Sequence, residues 1–345
     1  MPRTMLTHDV LLAEQLDRKA NELKVINAEQ LAARLKEHIV GQDKVIDQIA
    51  RQLGQRDASK RTDEPIAVFC FVGPPGVGKT ELAKAITDAV YKDRNHLLFY
   101  SFAEMAKLPQ AATTLIGSPK NYVGGEGKLT SDLRRIPNAV VLLDDIEKAH
   151  AAVIELILSG WDDGFLTDQQ TGHKVPTNGA IFILTSNANS REIGELVEAH
   201  TGTFDELNRK VKDLLSVGES ALAPELLSRI ETVFAFRNIR GIDIARVVAL
   251  RIERRAKSYG LAVADGGSRK EILIDAVQRL QKTSTKSGVR DITLKLEGSV
   301  DDGLIDAKAG GATKVRFEVE DGKVKVVPVT EDRTSVVSAA APAAS

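Results

Sequence analysis

Residues 66–90 read IAVFCFVGPPGVGKTELAKAITDAV, and the fold class turns on this stretch. IAVFCFV is a short, continuously apolar run rich in β-branched and aromatic residues, which predicts a buried strand. GPPGVGKT (73–80) follows and matches the phosphate-loop pattern G-x-x-x-x-G-K-[ST]. ELAKAITDAV then supplies a helix, the strand–loop–helix order that the chemistry requires. Gly73, Gly76 and Gly78 let main-chain N–H groups turn inward around phosphate oxygens, with Pro74, Pro75 and Val77 completing the loop. The helix N-terminus adds partial positive charge. Lys79 is expected to reach the β- and γ-phosphates, and Thr80 to ligate magnesium.

Downstream, VVLLDDIEKAH (140–150) runs four apolar residues into two adjacent carboxylates, Asp144 and Asp145. Desolvated carboxylates are costly and repel each other, so a buried strand should not end this way without a compensating cation. After a phosphate loop, that cation is the nucleotide's magnesium. Asp144 is expected to face the metal held by Thr80, through water, and Asp145 to polarise the water that attacks the γ-phosphate. The competing reading is a solvated strand end whose Asp145 caps the helix IEKAHAAVIELIL.

Working outward, LLFYSF (97–102), AVVLL (139–143), AIFIL (180–184) and TVFAF (232–236) read as further buried strands, with helical patterns between them. That alternation predicts an α/β fold, a parallel sheet with helices on both faces. Upstream, helices are expected over 9–24 and 28–38. Asp43 could cap a third helix carrying Val45, Ile46, Ile49 and Leu53 on one face, and GQRDASKRTDEP (54–65) reads as a linker. Residues 240–308 look helical, broken at SGVR (287–290). KVRFEV and KVKVV around EDG (320–322) then predict a hairpin. The expected organisation is an N-terminal helical segment (1–37), a large domain (38–236), a small α+β domain (237–330) and a disordered tail (331–345).

Bulk properties narrow the class. Lys+Arg and Asp+Glu are 47 against 48, so no global basic field points to nucleic acid. A single cysteine, Cys70, rules out an intrachain disulfide, and its apolar neighbours predict a packed thiol in a reducing compartment. His8, His38, His96, His150, His173 and His200 form no spacing suited to zinc. No apolar run approaches a membrane span, and the charged N-terminus makes a poor signal peptide. A soluble, cytoplasmic protein is expected.

Taken together, HIVGQDKVIDQIA (38–50), GPPGVGKTELAKA, LIGSPKNYVGGEGKLT (115–130), VVLLDDIEKAH, DDGFLTDQQTG (162–172), ILTSN (183–187), LAPELLSRIE (222–231) and SGVRDI (287–292) resemble the Clp family of AAA+ ring ATPases, most closely the second ATPase module of ClpB and ClpA. The resemblance covers about residues 38–330 in the family's order. It implies an AAA+ fold with a small C-terminal lid domain, ATP with Mg2+, and a homo-oligomeric ring, a hexamer, that remodels protein substrates through an axial pore. Ile39 and Val40 match the segment over the adenine. Asn187 matches the sensor that helps place the attacking water, and Arg229 the arginine finger that reaches a neighbouring subunit's γ-phosphate. Arg290 matches the second sensor. Tyr122 and Val123, in NYVG, match the aromatic pore loop that grips polypeptide. TDQQTGH (167–173) matches a second channel loop. Spacing alone would choose neither arginine.

The departures also carry expectations. Asp145 stands where the family has Glu. Its carboxylate is one methylene shorter, so hydrolysis is expected to be slow, because a misplacement of about 1 Å can cost ~10²-fold in rate. Asn121 replaces a glycine before Tyr122. The nearest candidate for a peptidase-docking tripeptide, Ile193-Gly194-Glu195, carries an acid unsuited to a hydrophobic pocket, so peptidase delivery by that route is not expected. Residues 1–37 could recruit an adaptor. Two further function classes stay open: a nucleotide-switched assembly factor that hydrolyses little, and, ranked last, a nucleic-acid-directed AAA+ loader.

Overall fold

Parallel strands buried on both faces should be apolar at every position rather than alternating. β1 (Ala67–Val72), β6 (Ile181–Ser186) and β7 (Thr232–Ala235) are buried throughout, and β3 (Val140–Asp144) is buried until its final carboxylate. With β2 (Leu97–Ser101) they form a five-stranded sheet, order β2-β3-β6-β1-β7, in which every pairing is parallel. The five expected strands are these five. The computed structural model describes residues 26–59, 64–105, 111–120, 124–268, 289–320 and 323–329. The helix expected over 9–24, the aromatic loop residues Tyr122 and Val123, and the tail 331–345 lie outside them.

The chain divides between Asn238 and Ile239 into two compact units. In the first, Val45, Ile46, Ile49 and Leu53 are all buried, as their spacing implies. Two local readings change. Asp43 is the first residue of its helix, Asp43–Ser59, where its charge favours the helix N-terminus without capping it. That helix also continues through Gly54 to Ser59, so the first half of the expected linker is helical. Contact explains it. A Cβ on Gly54 would lie 3.0 Å from the Ile26 carbonyl oxygen, and Asp57 Oδ2 accepts from the Ile26 N–H at 2.8 Å. Glycine admits the neighbouring segment, and that packing offsets its poor helix propensity.

The sequence reading missed the hairpin of β4 (Phe165–Thr167) and β5 (Lys174–Pro176), because three-residue strands carry too little alternation to register. Its tip is the TDQQTGH loop. There the buried Asp168 accepts from the Gly127 N–H (2.8 Å), Thr130 Oγ1 (2.5 Å) and both the N–H and Oγ1 of Thr171 (2.9 Å each). Ile193 and Gly194 are buried in the helix Ser190–Ala199.

The second unit contains the helices Ile242–Ser258 and Val289–Ala309 and a three-stranded sheet in the order β10 (Lys323–Val329), β9 (Lys314–Glu320), β8 (Ala262–Ser268). β9 (Lys314–Glu320) and β10 (Lys323–Val329) pair antiparallel, with Glu320 opposite Lys323, as the expected hairpin requires. The expectation of helix throughout 240–308 is corrected by β8 (Ala262–Ser268), which lies parallel to β9 with a register shift between Val263 and Ser268. Arg255 joins the two helices through a bidentate pair with Asp301, 2.7 Å at both contacts. No helix among the described residues is long and apolar enough to cross a membrane.

Candidate nucleotide-binding site

β1 ends at Val72, and the loop that follows needs backbone angles that favour glycine. Gly73, Gly76 and Gly78 have φ of 139°, 79° and 101°. At Gly73 the requirement is also steric, since a Cβ would stand 2.8 Å from the Phe236 carbonyl oxygen. Gly78 starts the helix Lys79–Tyr91 without a side-chain cap, which leaves the first-turn N–H groups for an anion. Ile39 borders this turn, its Cγ2 3.9 Å from the Cβ position of Gly78. The segment is anchored by Gln42, which donates to the Arg237 carbonyl at 3.0 Å and accepts from the Arg237 N–H at 3.2 Å. Ile39 is buried and Val40 partly so.

Lys79 is the centre of the site. Its Nζ donates to the carbonyls of Gly73 (2.6 Å) and Pro74 (2.9 Å) and to Asn187 Oδ1 (2.7 Å). Burial pushes the ammonium down to about 8, against the opposing pull of Glu147, Asp144 and Asp145. Asn187 reaches it because β6 lies between β1 and β3 in the sheet. The carboxyl ends of all three strands therefore meet, where open α/β sheets place their ligands.

The acid pair is held by separate donors. Asp144 Oδ1 accepts from Thr80 Oγ1 (3.1 Å) and Thr185 Oγ1 (2.7 Å). Asp145 takes left-handed backbone angles, φ 57° and ψ 52°. Its N–H donates to Thr185 Oγ1 (3.1 Å), Asn187 Nδ2 donates to its Oδ1 (2.8 Å), and Lys148 Nζ lies 2.7 Å from its Oδ2. Lysine and amide donors thus offset the repulsion between adjacent carboxylates. The capping alternative fails: Asp145 makes no side-chain cap bond, and His150 caps the helix Ala151–Asp162 by accepting from the Ala152 N–H. A hydroxyl and a single carboxylate, Thr80 and Asp144, fit magnesium, which takes one or two carboxylates and relies on substrate phosphates for the rest.

Arg229 is not part of this cluster. It ends the helix Pro224–Arg229 and makes a bidentate pair with Asp162 at 2.7 and 2.8 Å, both side chains about half exposed. Arg290 lies on Val289–Ala309 of the second unit, with its side chain outside the described residues. Three residues of the cluster went unread in the sequence. Thr185 was a hydroxyl two places before Asn187 in ILTSN, a legible signal. Lys148 and Glu147 were hidden in what reads as the polar face of a helix.

A parallel sheet of this order, a glycine loop closed on a buried lysine and a hydroxyl–carboxylate pair beside it define a P-loop nucleotide-binding domain. Residues 64–233 match the AAA domain (Cdc48 subfamily). The chain is 37% identical over 223 residues to the chaperone protein ClpB of Rhodopirellula baltica, covering 64% of this chain and 25% of that protein. It is 30% identical over 304 residues to the ATP-dependent Clp protease ATP-binding subunit ClpE of Bacillus subtilis, covering 86% and 42%. To the heat shock protein 100 of Trypanosoma brucei brucei it is 34% identical over 251 residues, covering 71% and 28%. This chain belongs to the Clp family of AAA+ ATPases. It spans 25% to 42% of the length of these relatives.

Proposed function

We propose that this chain binds ATP with Mg2+, hydrolyses it, and uses the cycle to remodel protein substrates as a homo-oligomeric ring, a hexamer, in the cytoplasm. The observation that carries the reading is the convergence on Lys79 of the loop carbonyls and Asn187, beside the Thr80–Asp144 bond. An ammonium held by carbonyl oxygens can exchange them for phosphate oxygens with little motion. In that exchange Lys79 steadies the β- and γ-phosphates while the N–H groups of residues 73–80 orient the chain of phosphates. Thr80 and Asp144 would hold Mg2+, which would neutralise charge on the phosphate oxygens. Asp145 accepts a hydrogen bond from the attacking water, and Asn187 keeps Asp145 and Lys79 in register with it. Arg229 of a second copy stabilises the transition state, with Arg290 reporting nucleotide from the small domain. Tyr122 and Val123 grip the polypeptide, and residues 1–37 engage an adaptor.

The ClpB and heat shock protein 100 relatives support the chaperone class. A second reading, a nucleotide-switched assembly factor, draws on Asp145, whose two oxygens already have donors. The test combines steady-state ATPase with size determination, with and without a slowly hydrolysed ATP analogue. Wild type is expected to turn over ATP, assemble only with nucleotide, and accelerate in the presence of an unfolded polypeptide. Lys79→Ala is expected to lose nucleotide affinity, and Tyr122→Ala to keep basal turnover but lose the acceleration. Assembly without acceleration favours the switch; unchanged affinity in Lys79→Ala ends both readings.

A further inference from the structure

Glu147 carries an atom that packing alone does not explain. It lies on the short turn Ile146–Lys148 that follows β3. Its Oε1 accepts from the Asn187 N–H at 3.2 Å, whereas its Oε2 is buried with no hydrogen-bond partner. A buried acceptor without a donor is destabilising. Proteins keep such groups where something other than stability requires them.

What lies beyond the bond gives the requirement. Asn187, held by Glu147 through its main chain, spends its side chain on two groups of the nucleotide site: Oδ1 accepts from Lys79 Nζ at 2.7 Å, and Nδ2 donates to Asp145 Oδ1 at 2.8 Å. Glu147 is therefore one residue removed from both the phosphate-binding ammonium and the acid at the water. Among the carboxylates acting on Lys79 through charge, Glu147 acts most strongly. We propose that Glu147 is a positioning residue for phosphoryl transfer: it fixes the main chain of Asn187, and through that side chain sets where the Lys79 amine and the Asp145 carboxylate stand. The inference rests on the cleft being an ATP-hydrolysing site, and it concerns a carboxylate outside the Thr80–Asp144 pair.

The experiment separates positioning from packing by reading turnover against stability. Glu147→Met keeps the length of the side chain and removes both the unpaired Oε2 and the accepting Oε1, so the relief at one atom offsets the bond lost at the other and its melting temperature is expected close to that of the wild type. Its kcat should nevertheless fall by about tenfold or more with KM for ATP within about threefold, since loss of alignment acts on the chemical step. Glu147→Gln keeps an oxygen that can accept from the Asn187 N–H, and is expected to hold kcat within about threefold of wild type. Glu147→Met with kcat within about twofold of wild type overturns the inference, as does Glu147→Gln impaired as badly as Glu147→Met. A wild type no more active than Lys79→Ala instead overturns the underlying reading of the site, and the inference with it.

Discussion

Asp145 has a backbone reason to be aspartate. Its φ of 57° lies in the left-handed region, which Asn and Asp tolerate better than longer side chains because they hydrogen-bond locally. Asp145→Glu exchanges that tolerance for reach. Turnover is expected to rise by up to about tenfold as the carboxylate approaches the water. Stability is expected to fall by about 1 kcal/mol, read from a thermal melt. No gain in turnover would count against the slow-hydrolysis argument. Lys79 gives a pH dependence whose sign can be worked out. With its ammonium lowered to about 8 from the ordinary 10.5, the folded chain binds this proton less tightly than the unfolded one, so stability rises with pH between those two values and levels off above them. Affinity for a polyanion runs the other way. Binding of a slowly hydrolysed ATP analogue should weaken above pH 8, by up to about tenfold per unit, as the amine loses its charge. A flat profile between pH 7 and 9.5 would remove the ammonium from the binding argument.

At the level of elements, β1 is the strand on which the loop is built, and β6 and β7 pair with it on either side. Cys70 sits in its middle, fully buried, with burial pushing its thiol up to about 12. The native protein should therefore resist thiol reagents, and labelling should follow the global unfolding rate measured in urea. Labelling at the rate of a free thiol would mean that the sheet opens locally. The helix Phe204–Leu215 starts with a capping box in which Thr203 and Glu206 satisfy each other's backbone. Thr203→Ala should cost about 1 kcal/mol in a denaturant titration. β1, β6 and β7 were readable because each is an uninterrupted apolar run. β4, β5 and β8 were not, since a strand of three residues, or one containing ADGG, is defined by its partner rather than by its own pattern.

For the whole molecule the informative pair is Arg229 with Asp162. Half-exposed ion pairs contribute little to stability, about 0–1 kcal/mol. Asp162→Asn should accordingly leave the melting temperature nearly unchanged while freeing the guanidinium. If Arg229 serves a second copy, specific turnover should rise with protein concentration. Arg229→Ala should then lose ~10³-fold or more in turnover while still binding nucleotide as well as wild type. Specific activity independent of concentration, together with an active Arg229→Ala, would place the whole reaction within one chain.

Sequence alone determined the α/β class, the five strands of the main sheet, the phosphate loop and the acidic strand end. Each is encoded locally, by an uninterrupted apolar run or by residue types that a specific turn demands. Tertiary structure decided which of these meet. The order β2-β3-β6-β1-β7 inserts β6 between β1 and β3, and that placement brings Asn187 to Lys79, Thr185 to Asp144 and the Asn187 main chain to Glu147. Chain separation says nothing about such contacts, because they arise from strand pairing among segments far apart in sequence.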